Sequence, residues 1–210
     1  MELKNIKNFL FDLGGVIIDI DIPLTIKALQ SKLPSTAQDT VSAFFQSDLH
    51  DRYERGYISS GEFREELRTL GLSGLTDEDI DALWNTLLLD IPRERVALLQ
   101  SLAENHALYM LSNTNPIHFV EVERRLAENH SINGFKDIFT HLFLSYEMGM
   151  RKPEATIYQT VAQQASILPE ETLFIDDMLV NIEAAAAVGY QVFHLENPSQ
   201  LAQLIRYARS

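Results

Sequence analysis

The stretch "FLFDLGGVIID", residues 9–19, runs an apolar segment into a single aspartate, Asp12, and then, after Leu13, into Gly14 and Gly15. A short apolar run bounded by glycines reads as a buried strand, and glycines let the backbone turn sharply and approach a ligand closely. A strand that stops on a carboxylate delivers it to the carboxyl end, where α/β proteins gather their ligands.

The remaining chain supports that placement. Apolar runs suited to buried parallel strands fall at 7–12, 107–112, 141–145, 172–176 and 190–195. Helical patterns at about 93–105, 115–129, 153–166, 178–188 and 198–208 lie between or after them, with Pro92, Pro116, Pro153 and Pro198 near helix starts. Alternating strands and helices predict a doubly wound, Rossmann-like parallel α/β sheet. Residues 22–90 break the alternation, because "PLTIKALQSKL", "TAQDTVSAFFQSDLHDRYERG", "SSGEFREELRTLG" and "TDEDIDALWNTLLLD" all read as helices. Ser60 to Phe63 and Thr76 to Asp79 offer capping signals. The expected division is a core of 1–21 and 91–210, with a small helical cap of 22–90 inserted after the first strand.

With 210 residues, 46% of them hydrophobic, the chain can bury a substantial core. It has no cysteine, which excludes a disulfide scaffold, a thiolate nucleophile and a Cys-ligated metal. A net charge of −13 repels nucleic acid and anionic lipid at long range. No apolar run has the roughly 18 residues a membrane span needs, and the amino terminus lacks a signal-peptide core. A cytoplasmic protein without nucleic-acid or membrane partners, monomeric or a weak homodimer, is the expectation.

The polar residues that end the strands converge on one sheet edge: Asp12, then Ser112-Asn113-Thr114-Asn115, then Lys152 beyond the third strand, then Asp176-Asp177. A carboxylate can attack a phosphoryl group when the surrounding negative charge is offset. Asp12, a backbone carbonyl and Asp176 suit Mg²⁺, a hard cation that takes oxygen ligands. Lys152 can neutralise nucleophile and transferring group, the Ser112 hydroxyl can donate to a phosphoryl oxygen, and the Gly14 and Gly15 N–H groups can do the same. Two adjacent carboxylates at a strand end repel each other unless a cation is nearby, which favours a metal at Asp176 and Asp177.

Four stretches, "FDLGGV" at 11–16, "LSNTN" at 111–115, "GMRKPEATIY" at 149–158 and "FIDDMLVNIEAA" at 174–185, resemble the motifs of the haloacid dehalogenase superfamily, in order and across the whole α/β core. The insert lies where that superfamily carries a C1-type cap. "FDLGGVIIDID", "ERGYIS" and "LSYEMGMRKPEATIYQ" look closest to a bacterial sugar-phosphate phosphatase subgroup that includes α-D-glucose-1-phosphate phosphatase. By that similarity Asp12 is the nucleophile, Ser112 and Lys152 hold the phosphoryl group, and Asp176 binds Mg²⁺ with the Gly14 carbonyl. Asn113 and Asp177 are secondary members, and a small phosphorylated metabolite is the substrate. The chain departs from the superfamily's main phosphatase pattern at Gly14, where those enzymes carry an acid–base aspartate. Losing such a group typically lowers rate by roughly 10²–10⁴-fold. Asp19 and Asp21 are candidate substitutes. A metal-independent 2-haloacid dehalogenase and a catalytically weak phosphometabolite-binding protein are the alternative functions.

Other residues read more plainly. The six histidines, His50, His106, His118, His130, His141 and His194, show no ligand spacing and are left outside the metal site. Trp84 with Leu83, Leu87 and Leu88 reads as core of the insert. "HDRYERG" at 50–56 reads as a solvated helix end, with substrate selection as the competing reading.

Overall fold

The computed structural model describes residues 5–33 and 48–204. The part of "TAQDTVSAFFQSDLHDRYERG" before residue 48, and the end of the helix expected at 198–208, lie outside the described residues.

Five strands form one wholly parallel sheet: β1 (Asn8–Phe11), β2 (Ala107–Ser112), β3 (His141–Leu144), β4 (Thr172–Asp176) and β5 (Gln191–His194), in the order β3-β2-β1-β4-β5. In register, Phe11 lies beside Met110 on one side and Ile175 on the other. All five match the apolar runs read from sequence to within a residue or two. Side chains alternate across the sheet, so that Phe9, Phe11, Met110 and Ile175 belong to one buried cluster and Leu10, Leu111 and Phe174 to another. Both faces are therefore covered, as parallel strands without alternating polarity require. The chain winds from β1 to β3 one way, returns, and places β4 against the other side of β1. This reversal makes the carboxyl ends of β1 and β4 the switch point of the fold.

Helices α1 (Ile22–Lys32), α2 (Asp48–Glu54), α3 (Ser60–Leu67) and α4 (Asp77–Trp84) precede α5 (Arg93–Ala103), with no strand among the described residues between them. Leu29, Tyr53, Phe63, Ile80 and Trp84 form a separate apolar cluster that also takes in Ile117 of α6 (Pro116–His130). The capping box of α3 uses Ser59 with Glu62, one residue earlier than expected, while Thr76 with Asp79 caps α4 as expected. The two ends of this insert run side by side: Leu89 N–H donates to Asp19 O at 2.9 Å and Asp21 N–H to Leu87 O at 2.8 Å, around an antiparallel bridge between Ile20 and Leu88. Three further α-helices follow, α7 (Ser145–Met148), α8 (Ala155–Ala165) and α9 (Leu179–Val188), and the described part of the helix expected at 198–208 is a 3-10 helix, Pro198–Leu204. Among the described residues no helix is long and apolar enough to cross a membrane.

Candidate active site

Asp12 follows β1, Asp176 ends β4 and Ser112 ends β2, so parallel pairing alone sets these residues side by side. Lys152 reaches them from the loop between α7 and α8. Its Nζ lies 2.8 Å from Asp12 Oδ1 and 2.6 Å from Asp176 Oδ2. Lys152 is 2% exposed, Asp176 fully buried, and the ammonium sits 5.6 Å from the centre of the Phe174 ring. A charge so deep in the protein persists only when paired.

Asp177 joins the two carboxylates: Asp12, Asp176 and Asp177 each offer an oxygen within 4.8 Å of the others. Burial pushes the Asp12 carboxyl up to about 7, with Lys152 opposing the rise and Asp176 adding to it. Burial and then Asp176 raise Asp177 as well. Burial alone would lower Lys152, but Asp12 and Asp176 together outweigh it and keep the amine well charged. Three carboxylates against one ammonium leave surplus negative charge on hard oxygen donors, which fits Mg²⁺.

Supporting contacts orient this set. Asn181 Nδ2 donates to both Asp176 oxygens, at 3.0 and 3.1 Å, and Met178 N–H donates to Asp176 Oδ1 at 2.8 Å. Sequence reasoning passed over Asn181; its position five residues after Asp176, one helical turn into α9, was the available signal. Asn113 accepts from Lys152 N–H at 2.8 Å and donates to Lys152 O at 2.9 Å. Its amide thus holds the Lys152 backbone, and that side chain is not free for a substrate. Asn115 caps α6, accepting from His118 N–H at 3.0 Å and from Trp84 Nε1–H at 3.4 Å.

Two expectations for the glycines and aspartates need correction. The Gly15 N–H donates to Ile18 O at 2.8 Å, so it is not available to a phosphate. Gly15 instead clears space: at φ +74° it adopts a left-handed conformation, and a Cβ there would lie 2.5 Å from Asp177 Oδ2. Asp19 is turned away as an acid, because its carboxylate pairs with Arg95 Nη2 at 2.6 Å. Asp21 precedes α1 and, like Asp19, is absent from the lining of the cavity described next; the even-numbered Ile18, Ile20 and Ile22 line it instead. A Cβ at Gly14 would lie 3.2 Å from Ile20 Cδ1, so the place of the missing acid–base side chain is filled by hydrocarbon.

A cavity of about 140 Å³ opens beside this centre, walled by Gly14, Ser112 and Asn113 below and by His50, Glu54 and Trp84 of the insert above. Trp84 is core, as expected, yet it also lines this space. "HDRYERG" is not a solvated helix end: Tyr53 and Glu54 are buried, and Asp51 and Glu54 pair with Arg151, next to Lys152, at 2.8 Å each. Arg55 pairs with Glu154. His118 stacks on Trp84 with ring centres 5.0 Å apart, and burial, with His50 adding, depresses its pKa to about 3. A larger cavity, about 690 Å³, is bounded by Arg64, Asp81, Glu121 and Arg124 and contains none of the residues above.

The fold is a parallel α/β sheet whose switch point carries a buried Asp–Lys–Asp centre. The family model for haloacid dehalogenase-like hydrolases matches residues 6–189, and the chain belongs to that family. Over 200 residues it is 30% identical to the D-ribitol-5-phosphate phosphatase of Bacteroides thetaiotaomicron, covering 94% of this chain and 96% of that protein. Identity to a sesquiterpene phosphatase of Aspergillus oryzae is 30%, over 90% of this chain and 89% of the relative. A crystal structure of a haloacid dehalogenase family enzyme from Bacteroides thetaiotaomicron, in complex with magnesium and inorganic phosphate, superposes with a TM-score of 0.83 at 37% identity, covering 90% of this chain and 93% of that one.

Proposed function

We propose that this chain is a Mg²⁺-dependent phosphatase of a small hydroxylated phosphate ester, most simply a sugar or polyol phosphate, acting through an aspartyl-phosphate on Asp12. That it hydrolyses phosphate esters rests on the family and on two relatives that are phosphatases. The observation that carries the metal-dependent aspartyl-phosphate route is the buried ammonium of Lys152 held between Asp12 and Asp176, with the third carboxylate of Asp177 alongside.

In this reading an Asp12 oxygen attacks phosphorus, the bond from phosphorus to the ester oxygen breaks, and that oxygen leaves with the electron pair and takes a proton from solvent water to become the alcohol. Water then attacks the same phosphorus, the bond to Asp12 breaks, and inorganic phosphate departs. Lys152 and the Ser112 hydroxyl offset the charge on the phosphoryl oxygens. Asp12, Asp176, Asp177 and the Gly14 carbonyl would hold the metal, which supplies Lewis-acid stabilisation of the phosphoryl group. Asn181 keeps Asp176 aimed, and Asn113 keeps Lys152 in register. Residues 22–90 act as a cap over the site, hinged where 18–21 run beside 87–90. A metal-independent dehalogenase gains nothing from three clustered carboxylates, so that alternative is disfavoured.

The test is phosphate release from a panel of sugar and polyol phosphates with Mg²⁺ or EDTA, for wild type and Asp12→Asn. Release that needs Mg²⁺ and vanishes in the variant is expected. Saturable binding with no release from any ester, by folded protein with Mg²⁺ present, would overturn the enzymatic reading.

A further inference from the structure

The phosphoryl centre leaves one side of the site without an assigned task. The 140 Å³ cavity beside it has two kinds of wall. Ile18, Ile20, Ile22, Leu88 and Trp84 offer hydrocarbon, while His50 and Glu54 bring polar atoms from α2. That volume is close to the roughly 150 Å³ cavity known to enclose benzene, so it takes a group of about six non-hydrogen atoms.

Glu54 is 8% exposed, and its Oε2 is buried without a hydrogen-bond partner. Arg151 Nη2 pairs with that oxygen at 2.8 Å, which leaves the rest of its acceptor capacity for a ligand donor. Oε1 lies 3.7 Å from His50 Nε2. A buried carboxylate oxygen with acceptor capacity left over gains from a ligand hydroxyl that donates to it. Charge at this end of the cavity is also unbalanced. Among the described residues Asp51, Glu54 and Glu154 pair with two arginines, Arg55 and Arg151, and Arg151 is already engaged by two carboxylates. Burial lowers the pKa of His50, which adds no positive charge at neutral pH.

Resting on the phosphatase reading, we propose that Glu54, with His50, selects the leaving group: the pair receives a short, uncharged alcohol bearing hydroxyls and turns away an alcohol that carries a negative charge of its own. A substrate hydroxyl donates to Glu54 Oε2, the carbon chain lies against Ile20, Ile22 and Trp84, and an added carboxylate meets like charge at close range, which disfavours it.

A matched pair of esters tests this. sn-Glycerol 3-phosphate and 3-phosphoglycerate release alcohols of nearly equal size, one neutral and one anionic. The readout is the ratio of their kcat/KM values for wild type, Glu54→Gln and Arg151→Gln, with Mg²⁺ present. Wild type should favour the glycerol ester by about tenfold or more. Glu54→Gln keeps an acceptor but drops the charge, and should shrink the ratio about tenfold, chiefly by faster turnover of the anionic ester. Arg151→Gln removes a counter-charge and should widen it, which keeps the proposal open to refutation if the Glu54 variant does not fold. A wild type indifferent to the two esters, or a ratio unmoved in the folded variants, overturns the selection role. Acetyl phosphate separates the two levels of failure, because its leaving group needs neither a proton nor a hydroxyl contact. Wild type that turns it over, dependent on Asp12, but shows no ester preference refutes the selector alone. Wild type inert toward it refutes the phosphatase reading and the selector together.

Discussion

Lys152→Met is the substitution whose effect is most tightly bounded by the geometry. The ammonium contacts Asp12 and Asp176 at 2.8 and 2.6 Å in a site that solvent barely reaches. Methionine keeps an unbranched chain one atom shorter, without the charge, and leaves the carboxylates facing each other, with Asp177 within 4.8 Å. Removing one partner of a buried ion pair costs about 3–5 kcal/mol. For a chain of this size, each kcal/mol lowers Tm by roughly 2–4 °C, so a fall of about 6–20 °C is expected in EDTA. The pH dependence has a definite sign. Burial holds Asp12 near 7, above its ordinary 3.8, and loss of Lys152 moves it higher still. A protonated carboxyl needs no counter-charge, so the destabilisation is fullest above pH 7 and shrinks as pH falls toward the ordinary carboxylate range. Thermal unfolding followed by circular dichroism at pH 8 and pH 5 measures both, and Mg²⁺ should recover part of the loss at pH 8 by binding the folded state. A fall of less than about 3 °C at pH 8, or a larger one at pH 5, would refute the claim that Lys152 is what makes the buried carboxylates tolerable.

Three other perturbations have definite outcomes. Gly56→Ala puts a Cβ 2.0 Å from the Tyr146 carbonyl at φ +68°, so the joint between α2 and α7 must shift; a loss of about 2 kcal/mol or more in urea unfolding is expected. Asn181→Leu removes two hydrogen bonds to the buried Asp176 and should cost about 1–3 kcal/mol, with weaker Mg²⁺ affinity by calorimetry. Gly14→Asp alone meets Ile20 and should gain little activity, whereas Gly14→Asp with Ile20→Ala makes room for an acid–base group; turnover of an ester with a poor leaving group should rise by about tenfold or more, and an unchanged rate would show that leaving-group protonation is not limiting.

Much of the scaffold was legible from the chain because its signals are local. A parallel strand buried on both faces is a run of apolar residues, and all five runs became strands. Its carboxyl end is the next residue along, so Asp12, Ser112 and Asp176 could be assigned to one edge before any coordinates were known. Lys152 needed the resemblance as well as the spacing, since it sits on a loop with no period of its own.

What the linear order could not decide was which polar atoms meet across distant segments. Asp19 and Asp21 had the right chemistry for an acid, but Arg95 claims Asp19 from 76 positions away and the pleat turns Ile18, Ile20 and Ile22 to the cavity. Gly15 lost its N–H to Ile18 and Asn113 its amide to Lys152, both through turns whose geometry depends on packing. "HDRYERG" has the composition of a solvated helix end; only docking of α2 against the Arg151–Glu154 loop makes it a wall of the site. Sequence by itself determined the strands and the residues that end them, because hydrophobic period and chain adjacency act within a few residues. Tertiary structure decided the leaving-group side, because burial and pairing there are set by contacts between elements some 100 residues apart.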